Sequence, residues 1–165
     1  MPELPEVELI ARHLDKSLLL SPFPSSRVDG IDVLRGKYLQ KSGEQWHMLG
    51  RSINSIHRRG KFIIFKLDRG VRVSHNAMSG YWDTLRHPWC FDYIEGKRQS
   101  NERDIRVRIT LSTGDVLQFH DTRLFGSLRY YDNHDIGSLL PFKKMGPEAL
   151  ETPLMWPGAP VWDWA

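Results

Sequence analysis

A chain of 165 residues, 40% hydrophobic and 26% charged, is long enough to bury one core and has the composition of an ordinary globular protein. Its apolar stretches are short, such as Phe62-Ile63-Ile64-Phe65, and fall well below the roughly 20 residues of a spanning helix, so no membrane association is expected. Net charge is +3 and the pI is about 9.1, an excess too small to establish a nucleic-acid partner, so the placement of charge matters more.

Residues 2–20 read as a helix. Val7, Ile10, Leu14 and Leu18 recur at helical spacing, Pro5 suits a first turn, and Glu3, Glu6 and Glu8 suit the positive end of the helix dipole. Early acids and prolines also argue against a secretory signal. The segment SPFPSS, 21–26, ends the pattern. Beyond it, strands are expected at 50–56, 62–67, 71–75, 81–85, 105–111, 116–120 and 127–131, with hairpin turns at Asp68-Arg69-Gly70 and at 112–115. Strands in this succession predict a β-sandwich or barrel rather than alternating β-α units, with Val7, Ile10 and Leu14 of the helix facing the sheets.

Residues 86–103 are polar and irregular and read as a long loop. MGPEAL, 145–150, reads as the start of another element. The last stretch, 151–165, holds three prolines and three tryptophans without periodicity. The expected organisation is one domain over 1–150 followed by an irregular tail over 151–165. The single cysteine, Cys90, cannot form an internal disulfide, which points to a reducing compartment. It also cannot supply a zinc site of four cysteines, or of two cysteines and two histidines, within this chain; no metal or cofactor is expected here.

Four segments carry candidate chemistry. At the N-terminus, Met1 precedes the small residue Pro2, and its removal exposes a secondary amine. An α-amine titrates near 7.7–8.0, so part of it is neutral at about pH 7 and can attack an aldehyde-like carbon, forming a cationic iminium. Glu3 and Glu6 stand close enough in sequence to move protons. The same residues also make an ordinary helix start. Next, 45–67 contains Arg51, Arg58, Arg59, Lys61 and Lys66 and no acid. Its centre, HRRGK at 57–61, offers a phosphate grip, though on composition alone a solvated surface turn is the more ordinary reading. In SHNAMSG, 74–80, Met78 is a candidate wedge for a base stack, or core packing. In HDTRLFGS, 120–127, Arg123 and Phe125 point the same way if the segment is extended, and could fill the gap left by an extruded base; the alternative is Phe125 in the core and Arg123 on the surface.

Together and in this order the motifs PELPEVE (2–8), RRGKF (58–62), HNAMSG (75–80), DTRLFG (121–126) and MGPEAL (145–150) resemble the formamidopyrimidine-DNA glycosylase family, which includes the endonuclease VIII type. Leu4 and the R-L-F-G element favour the formamidopyrimidine branch. The resemblance implies a mainly β (α+β) fold, an N-terminal helix packed on a two-sheet antiparallel β-sandwich. It implies a bifunctional DNA glycosylase and AP lyase that removes oxidised purines, such as 8-oxoguanine and formamidopyrimidines, with β,δ-elimination. Pro2 would be the nucleophile, Glu3 the general acid/base, Glu6 a support for the amine, and Lys61 a phosphate contact that assists base removal. Arg58, Arg59 and His75 would contact DNA, and Met78, Arg123 and Phe125 would fill the void and wedge the duplex. The partner implied is double-stranded DNA with an oxidised base or abasic site, met by a monomer. The location implied is the cytoplasm, on the nucleoid, with the compartment open for a eukaryotic or viral source. The family's helix-two-turn-helix and four-cysteine zinc finger have no counterpart in these residues, the likeness fades after Leu150, and position 124 is Leu where the family often has a second basic residue. A non-catalytic or lyase-only DNA-binding remnant is therefore the alternative expectation.

Overall fold

The computed structural model describes residues 3–19, 26–35, 47–85, 102–132, 134–139, 141–146 and 148. Helix α1 (Leu4–Leu19) precedes eight strands: β1 (Ser26–Val33), β2 (Ser52–Arg59), β3 (Phe62–Leu67), β4 (Val71–His75), β5 (Tyr81–Thr84), β6 (Ile105–Leu111), β7 (Val116–His120) and β8 (Ser127–Tyr131). Single 3-10 turns form at Glu102–Asp104 and Ile136–Ser138. All strand pairings are antiparallel.

The continuous order β5-β7-β6-β1-β2-β3-β4-β8 is divided at β1. Ser26 and Arg27 pair with β2, and from Val28 onward the strand pairs with β6, with an irregularity between Val28 and Gly30. One layer is thus β1-β2-β3-β4-β8 and the other β5-β7-β6-β1, the two-layered sandwich expected. Alternation along β3 sends Ile63, Phe65 and Leu67 into the core between the layers, where they join Trp82, Val107, Ile109, Leu111, Leu117 and Phe119 from the second layer. Phe65 and Trp82 meet edge-on at 5.0 Å, and the indole N–H donates to Ser74 Oγ at 2.8 Å, so the largest buried ring leaves no orphaned donor.

Helical periodicity places Val7, Ile10, Ala11, Leu14 and Leu18 on one buried face of α1, each large side chain contributing about 1.5–3 kcal/mol by burial. That face meets β2 and β3 of one layer and β5 of the other, so the helix ties the layers together. The alternate face of the first layer carries Ile64, Val71 and Val73, which pack with Leu139 and Phe142, and Ile136 and Met145 lie against the same cluster.

The strands expected at 62–67, 71–75, 105–111, 116–120 and 127–131 form with those bounds. The strand expected at 50–56 begins at Ser52 and continues through Arg59, and that at 81–85 stops at Thr84. β1 has no counterpart in the sequence reading: Asp29, Gly30 and Asp32 interrupt its apolar pattern, and its outer half is exposed. Gly70 and Gly114 adopt positive φ at 75° and 80°, as the two expected hairpin turns require. Most of the 86–103 loop, Cys90 and the 151–165 tail lie outside the described residues. No helix among the described residues is long and apolar enough to cross a membrane.

Candidate active site and nucleic-acid interface

Strand register gathers the candidate segments at one rim of the sandwich. Arg59 pairs with Phe62, Phe62 with His75, and His75 with Ser127, while in the other layer Tyr81 pairs with His120. The β2–β3 turn (60–61), the β4–β5 loop (76–80) and the β7–β8 loop (121–126) therefore emerge together. Two polar anchors set the direction of α1. Asp15 Oδ1 accepts the Ile56 N–H at 2.6 Å, and Glu8 Oε2 accepts from Arg58 Nε at 2.7 Å, so the helix runs antiparallel to β2. Glu3 lies five residues before Glu8, about 7.5 Å of helix rise further toward the rim.

The helix start is built as a cap. Val7 N–H donates to the Glu3 carbonyl at 3.1 Å, and Glu3 N–H donates to Glu6 Oε2 at 3.0 Å. This is the reciprocal half of a capping box, with Glu6 at the third helical position. The amide that Glu6 holds is the first backbone N–H of the described chain. Pro2 itself lies outside the described residues. Glu3 and Glu6 are both exposed.

At the β2–β3 turn, Gly60 takes φ 56° and leads into Lys61. Arg58 departs from the expected phosphate contact. Its side chain is 2% exposed and is held by Glu8 at 2.7 Å, the Gly60 carbonyl at 3.0 Å and Glu148 Oε1 at 2.6 Å. Strand alternation turned it inward, and its charge is met by two carboxylates rather than presented to solvent. Arg59 is partly exposed, but its guanidinium donates to the Gly146 carbonyl at 2.6 Å and to Glu148 Oε2 at 3.3 Å, so its charge is also countered. Burial opposes the Glu148 carboxylate, yet the Gly60 N–H and the two arginines bring its carboxyl down to about 2. Burial likewise opposes ionised Glu8, and Arg58 and Arg12 outweigh it and hold its carboxyl below the ordinary value. Of the three cations in 57–61, Lys61 alone makes no ion pair among the described residues. His75 sits beside it, half-buried with its ring 4.7 Å from that of Phe62. Burial, then the Lys61 charge, lower its pKa.

The two remaining loops present large apolar side chains to solvent. Met78 is 44% exposed, Leu124 45% and Phe125 58%, against a fold whose other bulky residues are mostly inside. Neither loop is extended: Ala77 takes φ 52° and Leu124 φ 61°. Arg123 and Phe125 nevertheless meet, because the turn at Leu124 brings the guanidinium carbon to 5.2 Å from the ring centroid. Among the described residues no group of three or more His, Cys, Asp or Glu side chains is arranged to hold a metal ion.

The profile of the formamidopyrimidine-DNA glycosylase N-terminal domain matches residues 1–128. The chain belongs to this family. It is 31% identical over 157 residues to the formamidopyrimidine-DNA glycosylase of an Exiguobacterium species, covering 92% of this chain and 50% of that protein. It is 28% identical over 148 residues to the Bacillus subtilis enzyme of that name, with 90% and 50% covered. Among solved structures it is similar to Lactococcus lactis formamidopyrimidine-DNA glycosylase non-covalently bound to AP-site DNA, with TM-score 0.58 and 25% identity over 78% of this chain and 45% of that one. The same Lactococcus protein in complex with DNA containing N7-benzyl-Fapy-dG matches with TM-score 0.59 and 26% identity, over 78% and 44%. The chain spans about half the length of these relatives.

Within this family fold, three residues matter in roles that the sequence reading did not give them. Glu8 and Glu148 neutralise Arg58 from positions 50 and 90 residues away. Asp121 is fully buried between the two apolar loops and accepts from Ser79 Oγ at 2.6 Å and from the Gly126 N–H at 2.7 Å. An acid five residues before a glycine is the one local signal that points to it.

Proposed function

We propose that this chain acts on damaged DNA as a glycosylase and AP lyase, excising oxidised purines such as 8-oxoguanine and formamidopyrimidines through an N-terminal proline. With Met1 removed, the Pro2 nitrogen attacks the sugar C1′. The glycosidic bond breaks and the base leaves with its electron pair. The nitrogen then gives up its proton, Glu3 protonates the ring oxygen, the bond from C1′ to that oxygen breaks to open the sugar, and the C1′–nitrogen bond becomes an iminium. Loss of a C2′ proton then feeds electrons toward the cation and expels the 3′ phosphate; a second elimination expels the 5′ phosphate. An N-terminal proline suits this because it is partly neutral near pH 7 yet becomes cationic on condensation, whereas a lysine needs its pKa lowered by several units.

The observation that carries the reading is the shared rim: the capped start of α1, the Gly60–Lys61 turn and the loops with Met78, Arg123 and Phe125 all open to the same side. Lys61, with no acid paired to it among the described residues, serves a phosphate beside the lesion, with His75 near it, and Arg59 contributes less because Glu148 shares its charge. Met78, Arg123 and Phe125 enter the stack as the damaged nucleotide turns out. Strand-cleavage assays on duplex DNA with a single abasic site test this: the expected products carry phosphates on both sides of the gap. Binding without cleavage replaces this reading with a non-catalytic DNA-binding one.

A further inference from the structure

The loops 76–80 and 121–126 are separated by 40 residues of chain, yet they are joined at one buried carboxylate. Asp121 Oδ1 accepts Ser79 Oγ–H at 2.6 Å and the Arg123 N–H at 3.2 Å, and Oδ2 accepts the Gly126 N–H at 2.7 Å. The Arg123 N–H also lies 3.2 Å from Ser79 Oγ. Asp121 is itself held from below, its N–H donating to the Asp104 carbonyl at 2.9 Å and its carbonyl accepting from Arg106 Nε at 2.6 Å. Each loop is also pressed on the same ring: a Cβ at Gly80 would lie 2.9 Å from Phe119 Cζ, and one at Gly126 2.8 Å from it.

We infer that Ser79 is a positioning residue that locks the Met78 loop to the Arg123–Phe125 loop, so that the three side chains enter a base stack as one body. This rests on the DNA-directed reading above. Separating base pairs costs a few kcal/mol per step, and wedge groups on independently moving loops must also be ordered as they insert. A hydroxyl bonded to a buried carboxylate is a short, charge-assisted contact, and here it is the crossing point between the loops. Ser79→Ala removes that crossing while leaving Asp121 its bonds to Arg123 and Gly126, so the carboxylate is not orphaned.

The test uses the full chain, its S79A and S79T variants, and duplexes carrying 2-aminopurine beside an abasic-site analogue. Wild type is expected to raise 2-aminopurine fluorescence as the neighbouring base unstacks. S79A is expected to slow that rise about tenfold, the size of one lost bond to a charged group. S79T keeps the hydroxyl and is expected to stay within about twofold of wild type on the same argument. In parallel, the ratio of borohydride trapping on duplex to trapping on single-stranded abasic DNA should fall about tenfold in S79A, because only the duplex has to be wedged. No fluorescence rise with wild type, equal rises in wild type and S79A, or equal losses in S79A and S79T would each overturn the inference. A rise without trapping overturns the catalytic reading alone and leaves the Ser79 inference decided by the fluorescence.

Discussion

Replacing Glu148 with Gln should expose how much of the fold depends on the Arg58 ion cluster. In the unfolded chain this carboxyl titrates near its ordinary value of 4.5, and in the fold at about 2. The difference, about 2.5 units at roughly 1.36 kcal/mol each, is on the order of 3 kcal/mol. Breaking a buried ion pair on one side typically costs about 3–5 kcal/mol, which agrees. Gln can still accept the Gly60 N–H, but it presents a neutral amide to two guanidiniums. Because the folded pKa is depressed, the contribution is complete above pH 4.5 and is lost as the pH falls toward 2. Urea unfolding of wild type and E148Q, followed by tryptophan fluorescence, should therefore show a gap of about 3 kcal/mol at pH 7 that narrows to about 1.5 kcal/mol at pH 3. A gap below about 1 kcal/mol at pH 7, or one that does not change with pH, would refute the reasoning.

Two further outcomes follow from the same geometry. With Arg58 buried and Arg59 countered by Glu148, few phosphates are neutralised, so the log–log salt slope of DNA binding should be near −2, and Lys61→Ala should bring it about one unit closer to zero; an unchanged slope excludes Lys61 from phosphate contact. Gly126→Ala puts a Cβ 2.8 Å from Phe119 Cζ and 3.0 Å from Asp121 Oδ2. It should cost about 2 kcal/mol, read as a thermal midpoint lowered by about 4–8 °C, and a midpoint within about 1 °C of wild type would show that the loop yields freely.

Much of this architecture was legible because it rests on local periodicity. Val7, Ile10 and Leu14 repeat at helical spacing, and strands such as 105–111 alternate, so their buried faces could be read directly. β1 escaped because its residues are set by where the strand crosses between layers rather than by a half-buried alternation, and Asp29, Gly30 and Asp32 look like a loop. The burial of Arg58 was hidden for a different reason. A run of basic residues looks like a solvated patch unless its partners are visible, and Glu8 and Glu148 are distant in sequence. The same holds for Asp121, whose bond to Ser79 spans 42 residues. Met78, Arg123 and Phe125 were each more plausible as core or surface on local grounds, and their shared exposure became visible only when register put their loops side by side. Arg123 and Phe125 meet through the positive φ of Leu124, not through an extended strand.

The central claim is that the Pro2 amine forms the covalent bond to the sugar. Borohydride trapping on abasic-site DNA, comparing chain with Met1 removed and chain with Met1 retained, tests it most directly, with peptide mapping of the adduct. The account predicts a trapped complex whose DNA remnant maps to Pro2, and none when Met1 blocks the nitrogen. Equal trapping with Met1 retained, or an adduct that maps to Lys61, would contradict it.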